Sequence, residues 1–240
     1  MVYCRGKWSG LEISLLNEYY SQKLSASRLK QVYDIAPRRV RQYLDSELNY
    51  VMARIQPNDL VLELGCGYGR VLPQLASKAK WAIGIDTSIS SLLFARNLIQ
   101  GFSNISLIQF EASKLGFREC AFDRVICIQN GISAFHVDAR TLISECLRIT
   151  RPEGTILFSS YSSKFWDERL KWFQLQSQAG LLGEIDLGRT REGFIVCKDG
   201  FTATTVGRED FSKLTTGLNA SVRIEEVDES SLFCEIIPHV

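Results

Sequence analysis

Residues 61–70 read VLELGCGYGR. An apolar run ends in three glycines that alternate with Cys66 and Tyr68, and Arg70 and Val71 carry the chain onward. Glycines in such a place let the backbone turn tightly and let a ligand approach bare main chain. Where such a loop opens a helix, the free amides of the first turn favour a polar or anionic group. The loop therefore reads as a ligand cradle between a strand and a helix.

The chain on either side has the periodicity this reading needs. LVLELG (60–65), WAIGID (81–86), ISLIQF (105–110), FDRVICIQ (122–129) and GTILFSSY (154–161) read as strands. Amphipathic helical spacing falls at 69–78, 88–98, 138–149 and 163–177. Near-continuous apolar strands alternating with helices imply a parallel sheet covered on both faces, and right-handed crossovers make it doubly wound. Helical spacing also covers 10–30 and 37–55, with Pro37 suited to a first helical turn and Pro57-Asn58 ending the second helix. After residue 180 the pattern changes. GFIVCKDGFTATTV (193–206) reads as a hairpin turning at Asp199-Gly200, followed by a short helix at about 208–217. SVRIEEV (221–227) and SLFCEII (231–237) are too close together for a parallel crossover, so they pair antiparallel. The expected fold is α/β: a doubly wound, mostly parallel seven-stranded sheet with helices on both faces. N-terminal helices, a small β-hairpin insert and an antiparallel C-terminal strand complete it.

Composition narrows the function classes. The chain has 240 residues, a formal net charge of +1, 45% hydrophobic and 23% charged residues, as in an ordinary globular domain. No basic stripe for a nucleic-acid backbone is announced, and no nucleic-acid partner is expected. Seven cysteines with no C-x-x-C spacing, and only two histidines, point to reduced thiols in a cytoplasmic protein and to no metal site. No apolar run approaches membrane-spanning length, and no signal-peptide core is present, so no membrane partner is expected.

The loop chemistry is decided partly by elimination. A phosphate-binding P-loop requires Gly-Lys-Ser/Thr, and Gly69 is followed by Arg70-Val71. The dinucleotide fingerprint requires a small third residue for close helix–strand packing. That place falls on Arg70 or Leu72, depending on the register, which disfavours NAD without excluding it. ELGCGYGR (63–70) resembles the first motif of class I S-adenosylmethionine-dependent methyltransferases, E/D-x-G-x-G-x-G. IGIDTS (83–88), FEASKLGF (110–117), FDRVICIQNGIS (122–133) and RITRPEGTILFSSYS (148–162) follow the same family's order. The resemblance is close over about residues 30–160 and looser in the final strands.

The resemblance implies a set of cofactor-binding residues, each with a plainer alternative. Gly65, Cys66 and Gly67 would cradle the methionine part of S-adenosylmethionine, with Glu63 near its amino group or orienting the glycine loop. Asp86 would take the ribose hydroxyls, or simply cap the helix beginning at Thr87 and Ser88. Thr87 is a cap or a neighbour of the adenine edge. Glu111 and Ala112 would face the adenine, the alternative for Glu111 being an exposed loop carboxylate. Gln129 and Asn130 lie at the fourth strand's ligand end. Arg41 is a candidate for the methionine carboxylate, or a solvated helix arginine beside Arg38 and Arg39.

The sulfonium is already a good leaving group, so no fixed catalytic triad is expected. His136, in SAFHVDAR, is the candidate base if the acceptor arrives protonated; its alternative is a helix cap. Tyr19, Tyr20 and Tyr33 suit a lid over the cofactor, or core packing. Trp166, Trp172 and Phe173 suit an acceptor wall, or the core face of a helix that also carries Phe165. A single domain is expected: an N-terminal lid (1–56), a cofactor-binding core (57–162), an acceptor-side insert (163–217) and final strands (218–240). The expected activity is methyl transfer to a small-molecule N, O or C atom, with S-adenosylhomocysteine as product. Resemblance of CIQNGISAF to glycine N-methyltransferase-like enzymes tilts the acceptor toward an amine. The rival readings are a non-catalytic sensor of the same ligands and a methyltransferase acting on protein or RNA.

Overall fold

The computed structural model describes Tyr19 and residues 23–239. Tyr20, Cys4 and the expected helix before residue 23 lie outside the described residues. The chain begins with α1 (Ala26–Asp34) and α2 (Arg38–Met52). Five strands follow: β1 (Leu60–Leu64), β2 (Trp81–Asp86), β3 (Ile105–Gln109), β4 (Phe122–Cys127) and β5 (Thr150–Tyr161). Between them lie α3 (Leu72–Lys78), α4 (Ile89–Leu98), the short α5 (Gly131–Ala134) and α6 (Ala139–Ile149). Then come α7 (Trp166–Gln178), the strands β6 (Phe194–Val196) and β7 (Thr202–Thr204), α8 (Arg208–Thr215), β8 (Ala220–Val227) and β9 (Ser231–Pro238).

The main sheet has the order β3-β2-β1-β4-β5-β9-β8. The first five strands pair in parallel, and β9 runs antiparallel to both neighbours. Alternation sends successive side chains to opposite faces. Val125, Cys127, Ile156 and Phe158 pack with Leu142, Ile143 and Cys146 of α6 and with Phe211 of α8. Val61, Ile126 and Leu157 pack on the other face with Val51 of α2 and Leu72 and Leu75 of α3. Both faces are covered, which is why the strands read as continuous apolar runs. β6 and β7 form a separate two-stranded ribbon. With α1, α2 and α7 the ribbon builds a third apolar cluster around Val32, Tyr43, Tyr161, Trp172 and Phe201.

Element ends depart from expectation where local chemistry intervenes. α2 stops at Met52, well before Pro57, because Ala53 and Arg54 close a tighter turn and Ile55 leaves the helix to be fully buried. Pro37 sits one place before the first helical residue. The glycine turn consumes three more residues than a 69–78 helix allows, and α3 starts at Leu72. β5 starts earlier, at Thr150, then bulges: its register against β4 jumps from Phe122↔Thr150 to Arg124↔Thr155. The extra residues include Pro152, Glu153 with φ +61°, and Gly154, so the expected turn exists as a bulge within the strand.

Parallel order reverses between β1 and β4, the switch point at which doubly wound sheets bind ligands. Gly84 of β2 lets the loop after β1 settle there. A Cβ at Gly84 would lie 2.7 Å from Leu72 Cδ1 and 2.8 Å from Cys66 Sγ. Gly84→Ala is therefore expected to destabilise the protein by about 1–3 kcal/mol through overpacking, read as a lowered thermal midpoint. An unchanged midpoint would show that the loop is not seated on β2.

Candidate functional site

The loop after β1 is held by its own backbone and by one carboxylate. Gly65, Gly67 and Gly69 have φ of +68°, +54° and +80°, a region that side chains with a Cβ rarely adopt. At Gly65 a Cβ would also stand 2.5 Å from the Phe135 ring. Cys66 N donates to Ile85 O at 2.9 Å, and Gly69 N to Cys66 O at 2.8 Å. Gly67 N donates to Asp86 Oδ2 at 2.8 Å, and Ser88 N to Asp86 Oδ1 at 2.8 Å. Burial raises the Asp86 carboxyl, while amide hydrogen bonds from Ser88, Gly67 and Thr87 hold it down. Each oxygen keeps a further acceptor direction. Ser88 caps α4 by accepting from Ser91 N, so the cap expected in this segment falls mainly to Ser88.

A cavity of about 700 Å³ opens at this switch point, within the usual range for a small-molecule cleft. Glu63, Gly65, Cys66, Gly67, Asp86 and Thr87 line it, as do Glu111, Ala112 and Gln129. Glu111 is exposed and accepts from Ser113 Oγ at 2.5 Å, and Ala112 is buried. The structure thus brings together nearly all the residues named from the sequence at the ends of β1 to β4.

Five of the named residues do not line the cavity. Arg41 is exposed on α2, and its guanidinium donates only a long 3.4 Å hydrogen bond to Asp34 O. Its helix face points away from the crevice because Val40, Tyr43, Leu44 and Glu47 occupy the buried face. Asn130 is buried and committed elsewhere: Nδ2 donates to Thr204 O at 2.7 Å and Oδ1 accepts from Ser160 Oγ at 2.8 Å. His136 has φ +52° and lies outside the lining between Phe135 and Val137, which are in it. Burial lowers the His136 pKa. Tyr19 also lies off the cavity and donates to Asp199 Oδ2 at 3.0 Å. Trp166 lines a separate depression beside Arg208 and Glu226, whereas Trp172 and Phe173 line the main cavity.

The structure adds residues that the sequence reading passed over. Arg70 lines the cavity, with its guanidinium 4.9 Å above the Tyr33 ring and Nη2 buried without a hydrogen-bond partner. Glu63 Oε2 is likewise buried and unpartnered. Burial pushes the Glu63 carboxyl up to about 8, against the opposing pull of Arg70, with Asp86 adding to the rise. Tyr33 OH donates to Gln129 Oε1 at 2.6 Å. Gln129 N donates to Ser159 Oγ at 2.8 Å, and Ser159 Oγ donates to Glu47 Oε1 at 2.6 Å. Glu47 is fully buried and pushed up to about 7 by that burial. Two signals for this chain stood in the sequence: a carboxylate within the apolar stripe of α2, and the SSYS run at the end of an otherwise apolar strand.

Among the described residues no His, Cys, Asp and Glu cluster of three or more is placed to hold a metal ion. No described helix is long and apolar enough to cross a membrane.

A strand-loop-helix glycine cradle with a carboxylate at the end of the next strand, under a β3-β2-β1-β4-β5-β9-β8 sheet, is the class I S-adenosylmethionine-dependent methyltransferase architecture. Residues 61–154 match the family described as a methyltransferase domain, and the fold is the one that class I methyltransferases have. A ubiquinone biosynthesis O-methyltransferase of Histophilus somni is 24% identical over 143 residues, 57% of this chain and 56% of that protein. A probable ribosomal RNA small subunit methyltransferase A of Methanococcus aeolicus is 32% identical over 74 residues, 31% of this chain and 27% of that protein. The chain spans about half or less of the length of such curated relatives. Among solved structures, a DhpI–SAH complex superimposes with a TM-score of 0.65 at 16% identity, over 97% of this chain and 99% of that one.

Glu63 supplies a test of the site's electrostatics. Its raised pKa means that the fold favours the protonated carboxyl. The stability it contributes is full below the ordinary value of 4.5 and is lost as pH rises through about 8. Glu63→Gln removes that loss. Thermal unfolding of the ligand-free variant should therefore decline less between these two pH values, by on the order of a few kcal/mol. Identical slopes in the two proteins would show that Glu63 ionises freely.

Proposed function

We propose that the chain is an enzyme that binds S-adenosylmethionine and transfers its methyl group to a small molecule, releasing S-adenosylhomocysteine. The observation that supports this best is the pairing of Glu63 and Arg70. Each has a buried polar atom with no partner, and both line one cavity beside the glycine loop. A carboxylate and a guanidinium left unmatched in one wall complement the ammonium and carboxylate of an amino acid. In this reading Glu63 takes the methionine amino group. Arg70 takes the methionine carboxylate, in place of the exposed Arg41. Asp86 has acceptor capacity left for a ribose diol, Glu111 and Ala112 flank the adenine, and Gln129 faces the reacting centre.

When bound, the sulfonium provides an activated methyl group with a neutral leaving group. The residues of this chain align the partners and exclude water. Gln129 is fixed at both its backbone amide and its side chain, so it presents a rigid edge to that centre. Trp172 and Phe173 of α7, with Val32 and Tyr33 of α1, roof the cavity as the lid and acceptor wall. His136, outside the lining, has no part in this mechanism. A net charge of +1 and a pre-formed cleft support a small acceptor over a nucleic acid.

Calorimetry with S-adenosylhomocysteine separates the two arginines. Arg70→Ala should weaken binding by about tenfold or more, roughly 1.4 kcal/mol per tenfold, and Arg41→Ala by less than about twofold. The reverse ranking would restore Arg41. Binding of NAD with no binding of S-adenosylhomocysteine would overturn the methyltransferase reading. Binding with no transfer to any acceptor in a metabolite screen would favour a sensor.

A further inference from the structure

Strand order sorts the cavity into two chemically different halves. The carboxylates that line it, Glu63, Asp86 and Glu111, sit on β1 or at the ends of β2 and β3, and Arg70 follows β1. Gln129 stands at the end of β4. Beyond it, over β4 and β5, Tyr161, Trp172, Phe173 and Phe201 form the wall, with Gln176 as a polar neighbour. Among the described residues, no Asp, Glu, His, Lys or Arg lines this second half.

The rings are locked together. Tyr33 and Trp172 have centroids 6.0 Å apart, Trp172 and Phe173 6.3 Å, and Phe173 and Phe201 6.2 Å. Their polar atoms are largely committed: Trp172 Nε1 donates to Val32 O at 3.0 Å, and Tyr33 OH donates to Gln129. A cation is already engaged with part of the wall, since the Arg169 guanidinium lies 4.5 Å from the Tyr161 ring centre and 5.4 Å from that of Phe173.

An aromatic wall alone is ambiguous, because aromatic cages also hold ammonium groups. Here the ambiguity resolves. An ammonium entering this half would meet no carboxylate among the described residues, and two of the rings already serve Arg169. Burying an unpaired charge is costly, whereas a flat apolar body gains from ring contact and lost hydration.

We infer that the half of the cavity walled by Tyr161, Trp172, Phe173 and Phe201 takes a flat, uncharged aromatic or conjugated acceptor, methylated at an atom that needs no base from this chain. This rests on the methyltransferase reading and departs from the amine that the sequence suggested; an amine would have to enter as its free base. The acceptor's lone pair forms the new bond to the methyl carbon. The carbon–sulfur bond breaks with its electron pair on sulfur, which leaves as a neutral thioether. A hydroxyl acceptor releases its proton to water.

Three probes of one shape and different charge test this by calorimetry on protein saturated with S-adenosylhomocysteine: 2-naphthol, 2-naphthylmethylammonium and 2-naphthoate. 2-Naphthol should bind about tenfold or more tightly than either ion. Trp172→Leu and Phe173→Leu should each weaken it severalfold, with a circular dichroism spectrum matching the parent protein as the check on folding. The comparison among probes on the unmodified protein holds even if both variants fail to fold. Equal or tighter binding of the ammonium or the carboxylate would overturn the inference, as would no binding of 2-naphthol. Failure to bind S-adenosylhomocysteine at all would instead sink the methyltransferase reading.

Discussion

The site hangs on the Asp86 carboxylate. One oxygen holds the Gly67 amide of the loop after β1, and the other holds the Ser88 amide at the start of α4. Neighbouring strand ends and two helix entries are thereby fixed relative to one another by a single side chain. The arrangement is reciprocal. The amides set the loop's position, and they pull the Asp86 carboxyl down against the burial that raises it. Gly84 beneath the loop and Gly65 beside Phe135 leave the space in which it can form.

A second constraint acts at the end of β4. Gln129 and Asn130 both have left-handed backbone, with φ of +56° and +62°, which costs energy for residues with side chains and persists only when the surroundings enforce it. Two consecutive serines of β5 do so from opposite faces. Ser159 accepts from Gln129 N and leans on Glu47 of α2, while Ser160 donates to Asn130 and accepts from Val206 N. Asn130 in turn binds the carbonyl of Thr204 in the ribbon. The strand end facing the cavity is therefore tied both to the N-terminal helices and to the ribbon. That explains why a buried carboxylate and polar serines are kept in an otherwise apolar core, where an unpaired polar group is destabilising.

The fold was largely legible because its signals are local and repeated. Each parallel strand is apolar on both faces, and each intervening helix is amphipathic, so β1 to β5 could be placed before any contact was known. Cavity-lining residues were legible where a backbone requirement marks them: Gly65 and Gly67, Asp86 at a strand end, Glu111 and Ala112 after the next. Legibility failed where direction decides. Arg41 and Arg70 are both arginines near the crevice in sequence, but only the turn from Gly69 into α3 aims one of them at it. Asn130 stands beside Gln129 at the ligand end, yet its side chain is held by Thr204 O and Ser160 Oγ instead. The long-range tie from Glu47 to Ser159 crosses more than a hundred residues, and no periodicity carries it.

The two halves of the cavity divide the electrostatic labour. At one end stand the polar groups of Glu63, Asp86, Glu111 and Arg70, with Glu63 and the Arg70 Nη2 buried, where an interaction with a ligand gains strength. At the other end, packed rings supply shape and exclude water without competing for a positive charge. Methyl transfer from a sulfonium converts a cation into a neutral thioether, so positive charge disperses as the bond is made. An apolar acceptor half suits that change, since a poorly solvated cation becomes easier to discharge as its surroundings become less polar. A carboxylate placed on the acceptor side would oppose it by stabilising the sulfonium in its ground state. On the proposed reading, the asymmetry between β1–β3 and β4–β5 serves the chemistry as much as the packing, and Gln129 stands where the two environments meet.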